Sequence, residues 1–222
     1  MTVRHALVLA DGALDDPAAI ERAWPGWSDE IDLVIAADGG ARHATTLGRR
    51  IDRWVGDGDS ISAGELERLA AEGVRIDRAS TDKDETDAEL ALQAALEESP
   101  ARITILGATG GARLDHELGN VWLLAHRGLS GRDTTLLSAG TRIRLAGTGP
   151  VDLGGRIGDL VSLLPFGGDA ARITTHGLRY PLTDEPLMSG PSRGLSNVRE
   201  ASDARLVIGA GRLLIVETPV RL

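Results

Sequence analysis

The sequence predicts an α/β N-terminal domain with a mostly parallel, Rossmann-like sheet, followed by an all-β, sandwich-like C-terminal domain. Three observations predict it. Four short runs rich in Val and Ile each lead into an acidic or glycine-rich cluster: IDLVIAADGG, RWVGDGDS, VRIDRASTDKDETD and RITILGATGGARLDH. Helical patterns separate these runs, as in the βαβ units of a parallel sheet. Beyond about residue 140 the chain changes to short strand-like runs and frequent glycines, the pattern of an antiparallel sandwich or small barrel.

The elements follow in order. Residues 3–10 read as a first strand, residues 17–24 as a short helix and residues 31–37 as a second strand. Ser62 opens a helix through the capping box Ser62-x-x-Glu65, and Gly73 ends it. Thr86-x-x-Glu89 opens another. Its apolar positions Ala88, Leu92, Ala95 and Leu96 have helical spacing, and Ser99-Pro100 stops it. Residues 114–126 read as a helix behind the glycine turn. The later strands are TRIRLAG, VDLGG, DLVSLLPF, ARITTHG, ARLVIGAG and RLLIVET. Residues 182–200 are polar, contain Pro and Gly, and read as a long loop. Two domains result, residues 1–139 and residues 140–222.

Composition narrows the function. A net charge of −9 argues against a nucleic-acid partner, which needs a basic face. With no cysteine there is no disulfide, thiolate nucleophile or cysteine zinc site. The apolar run at residues 6–10 meets Asp11 at once, too soon for a signal peptide. No stretch approaches the ~20 apolar residues of a membrane span, so a cytoplasmic protein without a membrane partner is expected. The only lysine, Lys83, lies between two aspartates, which excludes a Walker A loop and a protein-kinase site. Neither a Gly-x-Ser-x-Gly elbow nor a His-Glu-x-x-His pair occurs. His5, His43, His126 and His176 carry no assigned chemistry, and Trp24, Trp27, Trp54 and Trp122 are expected to be packing residues.

Each cluster has a functional and a plain structural reading. Asp38-Gly39-Gly40 offers a carboxylate at a strand end, or simply a helix N-cap. Gly56-Asp57-Gly58-Asp59-Ser60 can present two carboxylates to one cation, or form a surface turn. It is no EF-hand, because position twelve from Asp57 is Arg68. In Thr81–Asp87, Lys83 can contact a phosphate while Asp84 or Asp87 holds a metal; a solvated acidic loop is the alternative. The turn from Gly107 to His116 can cradle an anion with backbone N–H groups, and Arg113 can grip phosphate as a fork of donors. It can equally be an ordinary βα loop, and its glycines do not keep Gly-x-Gly-x-x-Gly spacing. Together the four clusters say more than any one. The carboxyl ends of parallel strands share an edge, where ligands bind. Carboxylates and glycine turns there suit Mg2+ carrying a polyphosphate such as ATP.

AADGGA, GDGDS, TDKDETD and GATGGARLDHELGN, in this order, resemble the signature blocks of the thiamine pyrophosphokinase (thiamin diphosphokinase) family. GDLVSLLPF, THGLRYPL, GLSN and GRLLIVE extend the resemblance through the C-terminal part. It implies a homodimer, with an ATP- and Mg2+-binding catalytic domain over residues 1–139. Residues 140–222 would form a β-sandwich that binds thiamine and dimerises. The implied reaction transfers pyrophosphate from ATP to the hydroxyethyl group of thiamine, giving thiamine diphosphate and AMP. By position, Asp38, Asp57, Asp59 and Asp87 would surround magnesium, and Asp57, Asp59, Asp87 and Lys83 would be catalytic. The implied ATP-binding residues are Asp38, Gly39, Gly40, Lys83, Asp84, Thr86, Gly110, Gly111, Arg113, Asp115, His116 and Asn120. Ser196 and Asn197 would reach thiamine. No tryptophan follows Trp122, which keeps a hydroxymethylpterin-type acceptor as an alternative, beside a non-catalytic nucleotide or thiamine diphosphate sensor.

Overall fold

The computed structural model describes residues 3–220. The chain divides into two compact units, Met1–Glu21 with Pro25–Ser138, and Arg22–Trp24 with Ala139–Leu222.

The first unit carries strands β1 (His5–Leu9), β2 (Ile31–Ala37), β3 (Arg53–Gly56), β4 (Arg75–Arg78), β5 (Arg102–Leu106) and β6 (Asp133–Leu137). Its helices are α1 (Pro17–Ala23, whose end falls in the second unit), α2 (Ala41–Thr46), α3 (Ala63–Ala71), α4 (Asp87–Glu97) and α5 (Leu114–Leu123). The six strands run parallel in the order β6-β5-β1-β2-β3-β4. Every residue of β1 is buried, as expected of a central parallel strand covered on both faces. Leu7, Leu9, Ile35, Trp54, Leu92, Ile103 and Leu106 are all but inaccessible. Each such aliphatic side chain contributes about 1.5–3 kcal/mol by leaving water.

The helix starts follow the sequence signals. Ser62 accepts the Glu65 N–H and the Glu65 carboxylate accepts the Ser62 N–H, forming a complete capping box. Gly73 ends that segment at φ +81°, a left-handed angle suited to glycine. Thr86 Oγ1 accepts the Glu89 N–H and starts α4, which packs on β1, β2 and β3. One prediction overran: α5 stops at Leu123 rather than near residue 126. There the His126 ring accepts the Gly128 N–H and begins a separate short turn. Trp122 is not a core residue either. α5 has no buried residue, and Leu114, Leu118 and Trp122 project from it exposed at helical spacing.

The strand order places the functional edge. β1 lies between β2 and β5, so the chain leaves β1 toward one side of the sheet and returns through β5 on the other. Loops after β1 and β5 therefore diverge, opening a crevice at their carboxyl ends. The start of this crevice is tightly sewn: the Gly12 N–H donates to Gly107 O at 2.7 Å and the Ala13 N–H to Thr109 O at 3.0 Å. A Cβ on Gly12 would stand 2.4 Å from the Gly107 carbonyl oxygen, so only glycine permits this approach.

The second unit is β-rich and antiparallel. β7 (Arg142–Ala146), β9 (Leu160–Pro165), β12 (Asn197–Val198) and β14 (Leu213–Thr218) pair in the order β12-β9-β14-β7. β8 (Gly149–Asp152), β10 (Ala170–His176), β11 (Glu185–Leu187) and β13 (Arg205–Ala210) pair in the order β11-β10-β13-β8. Alternate residues of both groups, including Val161, Leu163, Ile173, Leu206, Ile208 and Ile215, fill one apolar core. Residues 182–200 are not an unbroken loop, because β11 and β12 pin them to β10 and β9. Glu217 is buried in β14 and neutralised by arginines. It accepts from Arg142 at 2.7 and 2.9 Å, Arg199 at 3.2 Å and Arg144 at 3.3 Å.

Candidate active site

A cleft of about 750 Å³ opens at the carboxyl ends of the first unit's parallel strands. Five strand ends supply it. Asp11 and Gly12 follow β1, Asp38 follows β2, Asp57 and Asp59 follow β3, Lys83 and Asp87 follow β4, and Gly107, Ala108, Gly111, Ala112 and Arg113 follow β5.

The centre of the cleft is acidic. Asp38, Asp57 and Asp59 each bring one carboxylate oxygen to within 4.8 Å of the other two. Asp38 is buried, Asp57 half-buried and Asp59 exposed, so the group grades from the protein interior to the cleft. Asp38 Oδ2 accepts the Ser60 N–H at 2.9 Å, while Asp38 Oδ1 is buried without a hydrogen-bond partner. Burial, reinforced by Asp59 and Asp87, pushes the Asp38 carboxyl above the usual carboxylate range despite the Ser60 N–H. An orphaned buried oxygen among convergent carboxylates is the donor set a hard divalent cation takes.

Beside this group lies the chain's only lysine. Lys83 Nζ stands 2.8 Å from Asp57 Oδ2 and 3.0 Å from Asp87 Oδ1. The hydrogen bond from Lys83 holds the Asp57 carboxyl below its ordinary value. Burial alone would lower the lysine, but its bonds to Asp57 and Asp87 outweigh that and raise it. Asp87 thus sits in the first turn of α4, as expected from its sequence position, and faces the ammonium.

The other expected residues divide. Asp84, Thr86, Gly111, Arg113, His116 and Asn120 line the cleft. Gly39 and Gly40 do not; they are buried beneath it, where a Cβ would strike the Asp11 carboxylate at 2.4 Å or Leu9 O at 2.2 Å. Gly110 and Asp115 are also outside the lining. Asp115 instead pairs with the exposed Arg113 guanidinium. Asn120 donates to Ala108 O at 2.8 Å, fastening α5 to the turn after β5. Ser196 and Asn197 belong to the second unit. The Asn197 amide is engaged there with Tyr180, donating to its carbonyl at 2.7 Å and accepting its N–H at 3.0 Å. Ser196 is exposed at φ +54°.

Sequence reasoning passed over Asp11-Gly12, although HALVLADG repeats the pattern of an apolar run ending in an acid and a glycine. Arg42 of α2 bonds the Asp11 carboxylate and donates to Asp11 O at 2.6 Å, and the His43 ring meets Gly12 O at 2.9 Å. Both side chains brace the β1 loop, contacts that no local motif announces.

Comparison with known proteins shows the family. The family described as "Thiamin pyrophosphokinase, catalytic domain" matches residues 26–134, and "Thiamin pyrophosphokinase, vitamin B1 binding domain" matches residues 151–211. The thiamine pyrophosphokinase of Bacillus subtilis (strain 168) is 30% identical over 194 residues, spanning 87% of this chain and 90% of that protein. The crystal structure of the Bacillus subtilis enzyme superposes with a TM-score of 0.85 at 28% identity, covering 98% of this chain and 100% of that one. Thiamin pyrophosphokinase from Candida albicans shares the fold, with a TM-score of 0.79 at 15% identity over 97% of this chain and 89% of that one.

Proposed function

The chain belongs to the thiamin pyrophosphokinase family, and from that premise we propose how its residues divide the work of the reaction. The protein is a thiamine diphosphokinase: it transfers pyrophosphate from ATP to the hydroxyethyl group of thiamine, releasing AMP. The observation that carries the residue assignment is the convergence of Asp38, Asp57 and Asp59 beside Lys83 at one sheet edge.

Asp38, Asp57 and Asp59 hold the divalent cation, which we take as Mg2+. The orphaned Asp38 oxygen supports this reading. A bound ion would neutralise phosphate charge and polarise the phosphoryl oxygens it meets. Lys83 supplies the one mobile positive charge in the acidic group. Its bonds to Asp57 and Asp87 keep it within the cleft, ready to donate to phosphate oxygens. Asp87 therefore acts through Lys83. Arg113, exposed at the rim, exchanges Asp115 for phosphate as a fork of donors. Catalysis of this kind rests on positioning and charge neutralisation more than on covalent chemistry.

The first unit binds ATP and the cation. The second, which we read as a β-sandwich, contributes to thiamine binding and to a homodimer. In the first unit, the exposed Leu114–Leu118–Trp122 stripe on α5 is a further apolar surface that a second copy would cover. No helix among the described residues is long and apolar enough to cross a membrane, consistent with a cytoplasmic enzyme.

Release of AMP from ATP and Mg2+, with and without thiamine, tests the activity. The account predicts thiamine-dependent AMP with matching thiamine diphosphate, abolished in an Asp57→Asn/Asp59→Asn protein that keeps its fold. Normal turnover of that double variant would sink the metal assignment.

A further inference from the structure

We propose that Trp54 is a positioning residue for the cation site: its indole N–H holds the Asp38 backbone so that the Asp38 carboxylate faces Asp57 and Asp59. This inference rests on the metal reading above.

Trp54 is the second residue of β3 and has no accessible surface. Its side chain does more than fill the core. Nε1 donates to Asp38 O at 3.0 Å, and both groups are buried. Asp38 needs such support because its φ is +41°, in the left-handed region that side-chain-bearing residues rarely adopt. Here β2 ends in extended backbone at Ala37 and turns at once into the one-turn helix Asp38–Gly40. That abrupt turn brings one Asp38 carboxylate oxygen to within 4.8 Å of those of Asp57 and Asp59. A residue held in a sparsely populated conformation persists only where its surroundings over-determine it.

The same face of β3 supplies a second constraint. Residues two apart on a strand point the same way, and Gly56 follows Trp54 by two. A Cβ at Gly56 would lie 2.8 Å from Asp38 Cβ and 3.1 Å from Asp38 Cα. The indole thus holds the Asp38 carbonyl while Gly56 leaves room for its side chain. β3 then continues directly into Asp57 and Asp59, so one strand aligns all three carboxylates. Losing a group that orients a metal ligand typically costs about 10–100-fold in metal affinity.

Trp54→Phe keeps an aromatic ring and removes the donor. Mn2+ binding, read from the loss of the free-ion electron paramagnetic resonance signal with and without ATP, is the test. The variant should bind Mn2+ about 10–100-fold more weakly than the wild type. Its KM for Mg2+ should rise by a similar factor, with kcat at saturating Mg2+ largely retained. A packing role alone would lower Tm and leave Mn2+ affinity unchanged, and that result would overturn the inference. If the smaller ring prevents folding, benzothienylalanine placed at position 54 preserves the indole shape without the N–H and is read the same way. A wild-type protein that binds no Mn2+ would instead remove the metal reading and this inference with it. Wild-type affinity in the substituted protein removes the inference alone.

Discussion

Lys83 Nζ lies 2.8 Å from Asp57 Oδ2, tying the loop after β4 to the carboxylate loop after β3. The contact joins two clusters 26 residues apart in sequence. It also makes Lys83 a counter-charge for the acidic group before any cation arrives.

Replacing Lys83 should therefore have two separable effects. Lys83→Met keeps the aliphatic stem and removes the charge. We expect turnover at saturating ATP to fall by about 10²-fold or more, the loss typical of one preorganised donor at a transition state. In metal-free buffer Tm should also fall, because Asp57 and Asp87 lose their partner. Added Mg2+ should raise Tm more in the variant than in the wild type. Steady-state kinetics and thermal melts with and without Mg2+ check both.

Asp38 should show the opposite balance between stability and function. Burial raises its folded carboxyl above the ordinary value of 3.8. The folded state thus resists ionising Asp38, and the metal-free protein loses stability as pH rises from that ordinary value through the raised one. Asp38→Asn removes this penalty and keeps an oxygen for the Ser60 N–H. At neutral pH without divalent ions its Tm should rise by a few degrees, an effect of roughly 1 kcal/mol. Its Mn2+ affinity should fall instead.

Acid should weaken the fold in the near-neutral range through two histidines. Burial lowers both His5 and His43 from the ordinary 6.5. The His5 ring is held between Thr104 Oγ1 at 2.9 Å and Asp29 O at 2.8 Å. The unfolded chain takes up these protons first. The stability from the neutral rings is present above 6.5 and is lost as pH falls from there through the lowered folded values. Urea midpoints measured across this range should decline toward acid. His5→Gln should flatten the decline if it folds, and a profile unchanged in both His5→Gln and His43→Gln would contradict the assignment.

In the second unit, among the described residues, Glu217 is the acid that faces Arg142, Arg144 and Arg199 at hydrogen-bond distance. Arg199 has no exposed side chain, and its Nε and Nη1 already lack partners. Glu217→Ala should cost about 3–5 kcal/mol, because it strands buried guanidinium charge. Denaturant melts of the whole protein would show it.

The sequence made the first unit's order readable because its signals are local. Caps at Ser62 and Thr86 depend on residues three apart; Ser62 forms the full box with Glu65, and Thr86 forms the hydroxyl half of it with the Glu89 N–H. Apolar runs such as HALVL mark buried strands by composition alone. Asp38, Asp57 and Asp59 were legible as strand-end acids, since parallel strands bring such ends to one edge. Contacts between distant segments were not legible. Nothing near Trp54 in sequence reveals that its N–H reaches Asp38, and nothing near Arg42 reveals its grip on Asp11. The short strands β11 and β12 were hidden for the same reason: their pairing is set by β10 and β9, not by their own polar sequence. The exposed face of α5 also defied its pattern, because helical spacing of Leu114, Leu118 and Trp122 says that a face is apolar but not what covers it.

The central claim is transfer of an intact pyrophosphoryl group. The most direct measurement supplies the protein with thiamine, Mg2+ and ATP labelled on both the β- and γ-phosphorus, and follows the label. The account predicts that thiamine diphosphate carries both labelled phosphorus atoms while the released nucleotide is unlabelled AMP. Labelled ADP appearing with thiamine monophosphate would contradict it.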